Sequence, residues 1–496
     1  LDYLWRAVMA EHISKSRPSD PADTPSFAAN ARIAAVGLGA LAASLAQTLV
    51  IPVMPKIAAD LDIGTGQAQW LLTATLLVAA VSVPVAGRLA DMFGRRLVLL
   101  ISLAALAVGS ALSALTSTFE LMLVGRAIAG LSAAAIPLGI SLLATILPPE
   151  RRAGGTALIS AMLGVGGALG LPLAGLIGDS ADYHVLYWIG GGGALLSFLA
   201  IIWLVEEPET SAEHHIDLPG IGLLVTGLVA LILAISQGGD WGWGSPEVLA
   251  LLVGAVAVLG ALVVVERRRP NPLLDVKALS NPPIALTNLA SVFVGFALFA
   301  SFTGTANYVQ APEATGYGFG SSTLTAGLCL LPSGLLMLVL SPVAASLMKR
   351  LGPARVLGIA GTILAAGLLF RVVATGALWE VVLGTSIIGV GSGVAYAALP
   401  ALINAHTPRG ELAAANGFNA LSRSFGSTLA SAVGGALFTG ITLEVAGTAM
   451  PSLDAYRVLF GICAAAAIVA SAIGFHIAGR RTWVLLEEDE VVLGAH

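Results

Sequence analysis

The sequence predicts an all-α protein that crosses a membrane many times. The 496 residues are 57% hydrophobic and only 11% charged, and the mean hydropathy is +0.90. Apolar runs of about 20 residues recur from residue 32 to residue 477, and each can cross a hydrocarbon core of roughly 30 Å as a helix. The spans must be helical because lipid offers the backbone no hydrogen-bond partners.

Fourteen spans are predicted from these apolar runs and from the polar, glycine-rich or proline-rich connections between them. An even number of spans puts both termini on the same side of the membrane. The spans are placed near residues 32–55, 69–90, 97–116, 120–145, 155–178, 184–205, 218–237, 247–266, 283–308, 322–345, 354–375, 380–403, 411–440 and 455–477.

The placement of Lys and Arg tests this map. The side that carries residues 87–96 collects 19 of the 24 Lys and Arg residues, whereas only Lys56, Arg371 and Arg457 fall on the opposite side. Positive charge marks the cytoplasmic side of a membrane protein. We therefore expect residues 87–96 and both termini to be cytoplasmic.

An internal repeat divides the spans into two sets of six. Residues 82–89 (SVPVAGRL) resemble residues 340–347 (LSPVAASL), and Gly94 recurs as Gly352 at an offset of 258. Parallel halves of this kind place a site near the membrane midplane at their interface. The predicted domains are an N-terminal tail at 1–31, an N-terminal half at 32–205, a linker with two inserted spans at 206–282, a C-terminal half at 283–477 and a C-terminal tail at 478–496.

The loop between spans 2 and 3 reads Gly87-Arg-Leu-Ala-Asp91-Met-Phe-Gly94-Arg95-Arg96. It resembles the cytoplasmic loop signature of the major facilitator superfamily. Trp70-Leu-Leu-Thr-Ala-Thr-Leu-Leu and the two inserted spans are similar to the fourteen-helix drug:proton antiporter branch, which includes multidrug efflux proteins. The resemblance covers roughly residues 32–477 and implies alternating access by rocking of the two halves.

The sequence departs from that branch at three places. Ala46 or Gln47 stands where the branch carries an aspartate in span 1. Ala129 replaces a glutamine in the span 4 signature, and Pro172 comes one place late in the antiporter motif of span 5. The missing acid leaves open a transporter that is not coupled to protons.

The resemblance implies that the loop is a conformational latch. Asp91 would face the start of span 13, near residues 409–415, where free backbone N–H groups favour an anion. Such a contact is worth up to about 2 kcal/mol, and about 1.4 kcal/mol shifts an equilibrium tenfold. The alternative is a solvated loop that only fixes topology. The latch residues are Gly87, Arg88, Asp91, Gly94, Arg95 and Arg96.

Two further motifs lie inside spans. Arg126 and Gly130 belong to the span 4 signature, and a guanidinium within a membrane indicates function, although snorkelling to the interface is the alternative. Span 5 carries glycines that permit close helix packing and a proline that bends the helix. The antiporter-like motif of span 5 consists of Gly167, Gly170, Pro172 and Gly175.

Polar and aromatic side chains in other spans are candidates for a substrate cavity. Asn416, Asn419 and Arg423 lie near one face of span 13, which we interpret as a cavity-lining stripe in preference to a packing network. The cavity candidates are Gln47, Trp70, Tyr308, Gln310, Tyr396, Asn416, Asn419 and Arg423.

No Asp or Glu falls clearly inside a predicted span. Proton coupling requires a group that changes protonation, so Asp91, His406 and the acids at the outer ends of spans are the candidates. A buried arginine without a buried acid favours neutral or anionic amphiphiles over cations. The acids at the outer ends are Asp179, Asp182, Asp240, Glu313 and Glu380.

We therefore expect a monomeric secondary transporter in a bacterial plasma membrane. It would export a lipophilic drug or a secreted amphiphilic metabolite by proton antiport. The sequence contains no phosphate-binding loop, metal cluster, basic nucleic-acid-binding domain or nucleophile–base pair. We therefore expect no cofactor, metal, ATP, nucleic acid or enzymatic activity, and the proton gradient is the expected energy source. The alternatives are a proton-independent facilitator, an exporter of a lipid-like molecule, and a membrane sensor that has lost transport.

Overall fold

The computed structural model describes residues 26–50, 53–63, 65–180, 182–207, 217–269, 279–445 and 448–480. The α-helices are α1 Ser26–Thr48, α2 Met54–Asp60, α3 Thr65–Phe93, α4 Arg95–Leu115, α5 Phe119–Gly130, α6 Ala135–Ile146, α7 Pro149–Ser180, α8 His184–Leu204, α9 Leu218–Trp241, α10 Pro246–Glu266, α11 Pro282–Gln310, α12 Thr323–Val339, α13 Ser341–Leu351, α14 Pro353–Val373, α15 Leu378–Ala405, α16 Leu412–Gly440 and α17 Leu453–Gly479. Short 3-10 turns cover Leu131–Ala134, Glu313–Thr315 and Arg409–Glu411, and two strands are β1 Thr442–Val445 and β2 Thr448–Pro451.

Local sequence accounts for where several helices begin and end. The hydroxyls of Ser245, Ser322 and Ser452 accept hydrogen bonds from backbone N–H groups in the first turns of α10, α12 and α17. Gly94 has φ 113° and Gly352 has φ 79°, which side chains disfavour. These two glycines separate α3 from α4 and α13 from α14, so the sequence repeat is present in the backbone.

The predicted span map agrees with the helices in order and approximate position. By length and hydropathy, 11 helices in the described residues qualify as membrane spans, or up to 12 if α12 and α13, bent by 47°, form one span. The polar residues of α16 lower its hydropathy, and the apolar part of α9 covers only Pro219–Ile235. The all-α polytopic fold is confirmed, whereas fourteen spans and cytoplasmic termini stay predictions. The first span was predicted too long, because α1 ends at Thr48 and residues 49 and 50 form a turn.

Each half has its own apolar core, and the inserted helix α9 touches both. The N-terminal core contains Leu103 of α4, and the C-terminal core contains Leu364 of α14. Helix α9 packs on Val81 of α3 and on Phe418 of α16. Helix α9 therefore lies along a seam between the halves, and α10 packs on α9.

The β1–β2 hairpin was not predicted from the sequence. The strands are antiparallel, with Thr442 paired to Pro451 and Val445 to Thr448. They connect α16 to α17. Their alternating apolar residues are too few to separate them from a loop by pattern alone.

Candidate functional site

The carboxylate of Asp91 lies where the halves meet, at the end of the bundle that carries residues 87–96, called the basic end below. Asp91 is 4% exposed, and its Oδ1 accepts hydrogen bonds from Nε and Nη2 of Arg95 at 3.3 and 3.0 Å. The backbone N–H of Ala413 donates to Oδ1 at 3.2 Å, and that of Ala414 donates to Oδ2 at 2.9 Å. One carboxylate thus binds a cation of its own half and a helix of the other half.

Two helix boundaries create this geometry. Gly94 ends α3, so Arg95 begins α4 four residues after Asp91 and forms a buried ion pair with it. Helix α16 begins at Leu412, which leaves the N–H groups of its first turn without intrahelical acceptors and with a dipole that favours an anion. Asp91 therefore lies where the sequence analysis expected, whereas its function as a latch stays a prediction.

Helices α3 and α16 approach closely because Gly87 has no side chain. A Cβ at Gly87 would lie 2.8 Å from the carbonyl oxygen of Ala413 and 3.1 Å from Cα of Ala414. A Cβ at Gly417 would lie 3.0 Å from the carbonyl oxygen of Val83. A larger residue at Gly87 would hold the two helices apart.

The other arginines of the loop form no hydrogen bond or ion pair with the described residues of the C-terminal half. Arg96 donates from Nη2 to the carbonyl oxygen of Ile202 at 2.9 Å. The carboxylate of Glu207 accepts from the backbone N–H of Arg96 at 3.0 Å and of Leu97 at 2.9 Å, which caps α4. Arg88 is half-buried and forms no hydrogen bond or ion pair with the described residues.

The glycine motif of α7 lies against both halves. A Cβ at Gly167 would lie 3.2 Å from the ring of Phe302 in α11, and one at Gly175 would lie 2.9 Å from the backbone N of Leu324 in α12. Gly170 faces α1 of its own half. The motif therefore permits close packing where the halves contact each other.

Further contacts join α7 and its neighbours to the C-terminal half. Pro172 packs against α12. The hydroxyl of Ser160 donates to the carbonyl oxygen of Tyr396 in α15. Near the basic end, Nζ of Lys349 donates to the carbonyl oxygen of Glu150 at 2.8 Å.

Arg126 connects α5 to two other helices of the N-terminal half. It is 2% exposed, Nη1 donates to the carbonyl oxygen of Ala46 at 2.9 Å, and Nε donates to that of Leu71 at 3.5 Å. Nη2 has no partner within the described ranges. A Cβ at Gly130 would lie 2.7 Å from the carbonyl oxygen of Thr75. The burial of Arg126 is inconsistent with snorkelling to the membrane interface. The carbonyl oxygen of Ala46 lies in the part of span 1 where the fourteen-helix antiporters carry an aspartate.

A polar network lies inside the C-terminal half. Nδ2 of Asn419 donates to Oδ1 of Asn288 at 3.0 Å and to Oγ of Ser291 at 2.7 Å. Oδ1 of Asn419 accepts from Nη1 of Arg423, whose Cζ lies 5.4 Å from the ring centroid of Tyr396. The network joins α11, α15 and α16.

These contacts correct the expectation of an open cavity-lining stripe on span 13. Asn419 is 0% exposed, Arg423 is 4% exposed, and Asn416 is buried against Asn404, with their amides 2.6 Å apart. Helical spacing places polar residues on one face, but it does not say whether a cavity or a polar neighbour lies opposite. Here polar side chains of α11 and α15 lie opposite, so the stripe is packed in this structure. A role for it in binding substrate stays a prediction.

The other cavity candidates occupy different surroundings. Tyr308 is fully buried, and its hydroxyl donates to a backbone carbonyl. Gln310 accepts from Thr323 at 3.0 Å, and Gln47 and Trp70 are half-buried. Tyr308 is part of an aromatic cluster in the C-terminal core. The rings around it are those of Tyr317, Phe319 and Tyr456.

Arg371 is a buried cation that the sequence analysis missed. It is 1% exposed, and its Cζ lies 5.2 Å from the ring centroid of Tyr308 and 5.1 Å from that of Phe460. Nη1 donates to the carbonyl oxygen of Ala374 at 3.1 Å, and Nε and Nη2 find no partner among the described residues. The charge distribution predicted Arg371 on the side opposite residues 87–96, although it falls within predicted span 354–375.

Two of the acids at the opposite end, Asp182 and Glu380, have structural partners. Hydrogen bonds from the backbone N–H and the ring of His184 hold the pKa of Asp182 below its usual range. Glu380 accepts from two backbone N–H groups at the start of α15. The side chains of Asp179 and Asp240 lie outside the described part of the chain. No group of three or more His, Cys, Asp or Glu in the described segments is placed to hold a metal ion.

Comparisons with known proteins agree with this architecture. The family model of the Major Facilitator Superfamily matches residues 36–332 and 292–484. An MFS-type transporter of Mycobacterium tuberculosis (strain ATCC 25618 / H37Rv) is 30% identical over 424 residues, which cover 84% of this chain and 61% of the relative. The chain thus spans about three fifths of the length of that relative.

Two further relatives carry names that refer to drugs. The multidrug transporter protein of Bacillus subtilis (strain 168) is 25% identical over 403 residues, which cover 79% of this chain and 72% of that protein. The tetracenomycin C resistance and export protein of Streptomyces glaucescens is 28% identical over 342 residues, 68% of this chain and 62% of that protein. The crystal structure of a human organic anion transporter superposes with a TM-score of 0.63 at 17% identity, covering 90% of this chain and 100% of the other, and this likeness shows the fold.

Proposed function

This chain belongs to the major facilitator superfamily and is a multi-span membrane transporter with relatives of the drug-efflux type, and we propose that it exports amphiphilic compounds by proton antiport. The compounds are lipophilic drugs or a secreted metabolite, and the membrane is the bacterial cell membrane. The names of the drug-export relatives support the substrate class. The two-half fold supports alternating access.

The bridge from Asp91 to α16 is the observation that carries this proposal. Its carboxylate accepts two hydrogen bonds from Arg95 and one each from the N–H groups of Ala413 and Ala414. The bridge holds the basic end closed, and substrate can enter from that side only after it breaks. A contact worth up to about 2 kcal/mol shifts the two conformations by roughly thirtyfold, which is enough to set a resting state and small enough to be broken in each cycle.

Asp91 also offers a route for proton coupling. A protonated carboxyl is a weaker acceptor for Arg95 and for the positive end of α16 than a carboxylate. A proton that reaches Asp91 from the opposite side of the membrane would therefore loosen the bridge, and its release to the cytoplasm would restore the bridge. Opening of the basic end is thus linked to the proton on one carboxyl.

Proteoliposomes with an imposed pH gradient test the proposal. We expect lumenal pH to change when an amphiphile of a panel of cations, neutral compounds and anions is added, and we expect Asp91→Asn to reduce this movement about tenfold, for the loss of about 1.4 kcal/mol. Asp454→Asn is the matched control, because it removes an exposed carboxylate whose ion-pair partner in the described part of the chain is Arg457. If no member of the panel moves with wild-type protein, or if both variants lose activity equally, the latch mechanism is wrong.

A facilitator that does not use protons is the second candidate. The carbonyl oxygen of Ala46 accepts from Arg126, in the region where the resembling antiporters have an acid. This observation favours transport without a proton-binding carboxylate in span 1. Substrate flux with no change in lumenal pH would select the facilitator over the antiporter.

A further inference from the structure

Arg423 carries a buried charge that the described residues do not neutralise. Its Nη1 donates to the amide of Asn419, and its Cζ lies 5.4 Å from the ring centroid of Tyr396. Nε is buried without a partner, and the described part of the chain gives Arg423 no carboxylate. A guanidinium stays protonated in proteins, so the positive charge is permanent.

Arginines elsewhere in the described chain show what a balanced site looks like. Arg95 pairs with Asp91 at 3.0 Å, and Arg269 pairs with Asp217 at 2.5 Å. Both pairs lie near helix ends, whereas Arg423 lies within α16. A charge near the centre of a membrane helix is costly, and an anion that binds there recovers part of that cost.

The free edge of Arg423 has the shape that a carboxylate requires. Nη1 is engaged by Asn419, and the Nε–Nη2 edge makes no hydrogen bond to the described residues. Two parallel N–H groups on one edge can donate to both oxygens of a carboxylate or sulfonate. Asn419 is itself fixed by Asn288 and Ser291, so the guanidinium is oriented before any ligand binds.

Arg423 also lies next to the seam between the halves. Ala413 and Ala420 of α16 are buried in the core of the N-terminal half. Ser424 and Ser431 lie near the same helical face as Ala413, roughly three and five turns further on, and both are exposed. The face of α16 that closes the basic end therefore becomes open beside Arg423.

We propose that Arg423 binds the anionic group of an amphiphilic substrate whose apolar part lies between the halves. This inference rests on the proposed export function and specifies the substrate as an organic anion. The carboxylate or sulfonate takes the Nε–Nη2 edge once the seam opens, and the Tyr396 ring and Asn419 keep the guanidinium in place. A cationic analogue of the same size is repelled by the fixed charge.

Three probes with one tail test the charge preference. They are pyrenebutanoate, its methyl ester and the matching pyrenebutyl trimethylammonium cation. We expect wild-type protein in proteoliposomes to transport pyrenebutanoate best. Arg423→Gln lowers transport of pyrenebutanoate at least tenfold and leaves the ester unchanged, and Arg423→Lys, which keeps the charge but not the two-donor edge, gives an intermediate rate.

Two controls separate the inference from folding and from net charge. Arg457→Gln removes an exposed positive charge of the same half and should leave all three rates unchanged. If Arg423→Gln does not fold, the ratio of carboxylate to ester transport in Arg423→Lys decides the matter, because a purely structural role lowers both rates together.

The outcomes distinguish this inference from the proposed function. Transport of the ester or the cation in preference to pyrenebutanoate, or an equal loss of all three in the Arg423 variants, overturns the anion site and leaves the exporter. Failure of wild-type protein to move any of the three overturns export of amphiphiles, and the anion site fails with it.

Discussion

The two charged sites on α16 differ in how their charge is balanced. At its first turn, the carboxylate of Asp91 receives four hydrogen bonds, from Arg95, Ala413 and Ala414. Further along the helix, the guanidinium of Arg423 donates to the amide oxygen of Asn419 and lies over the ring of Tyr396. No described residue supplies a counter-ion for it.

The difference assigns different roles to the two sites. A charge that is fully satisfied by both halves in this conformation loses partners when the halves separate, so the Asp91 site stabilises one state. A buried charge without a counter-ion can bind a ligand of opposite charge, so the proposed role of the Arg423 site is to bind an anion. If both proposals hold, one helix carries both the contact that must break and the group that binds.

The largest effect is expected at the closed contact. Gly87→Val places a branched side chain against the carbonyl oxygen of Ala413, where even a Cβ would lie at 2.8 Å. Such overpacking costs about 1–3 kcal/mol and shifts the equilibrium roughly 5- to 150-fold away from the state closed at the basic end. We expect slower labelling of a Ser424→Cys reporter by a membrane-impermeant maleimide added at the opposite end.

Gly435→Val is the matched control for Gly87→Val. It adds the same side chain to α16 at a site where a Cβ meets no atom within 4 Å. The native Cys329 and Cys463 are buried and should give little background labelling. Equal labelling rates in Gly87→Val and in the wild-type reporter would mean that this contact does not hold the basic end closed.

The sequence predicted the latch geometry better than the network geometry, for a physical reason. Asp91 and Gly94 form a local motif whose chain spacing sets the pair with Arg95, and the start of span 13 follows from the helix pattern. The partners of Arg423 come from α11 and α15, and no short-range pattern in the sequence specifies them. Whether Asn419 and Arg423 line a cavity or form a packed polar network therefore depends on tertiary packing, which the sequence pattern does not show.

The fold shows the same division. The order of helices and the two-half repeat could be read from hydropathy and from paired glycines such as Gly94 and Gly352. The contact of α9 with both halves could not, because uniformly apolar helices do not indicate which neighbour they touch. Arg371 was missed because the charge distribution predicted it on the side opposite residues 87–96, whereas two aromatic rings hold it inside.

A moderate effect is expected where the network is truncated. Asn419→Ala removes the acceptor of Arg423 and the donor to Asn288 and Ser291. Polar contacts between membrane helices are worth about 0.6 kcal/mol on average and up to about 1.7 kcal/mol. We expect a lower thermal unfolding midpoint in detergent, and weaker binding of pyrenebutanoate than of its ester.

Ser424→Ala is the control for Asn419→Ala, because Ser424 is polar, lies on the same helix and is exposed. An unfolding midpoint equal to that of the wild type would show that the network contributes no stability. A lower midpoint with equal binding of both probes would confine Asn419 to packing and separate it from the anion site.

The smallest effect is expected at a carboxylate that does not bridge the halves. Hydrogen bonds from His184 hold the pKa of Asp182 below its usual range, so this group is ionised throughout the physiological range. A lowered folded-state pKa adds stability that is present above the unfolded pKa of about 3.9 and is lost as the pH falls through the folded value. For this exposed pair the contribution is below about 1 kcal/mol.

Asp182→Asn should therefore lower the unfolding midpoint slightly at pH 8, and the difference should vanish in acid below about pH 4. The pH profile of transport between pH 5 and 8 should match that of wild-type protein, whereas Asp91→Asn changes it if the coupled proton binds at Asp91. A changed transport profile in Asp182→Asn would move the proton site to the opposite end and remove Asp91 from coupling. The comparison of these two carboxylates thus tests whether the proton acts at the contact between the halves.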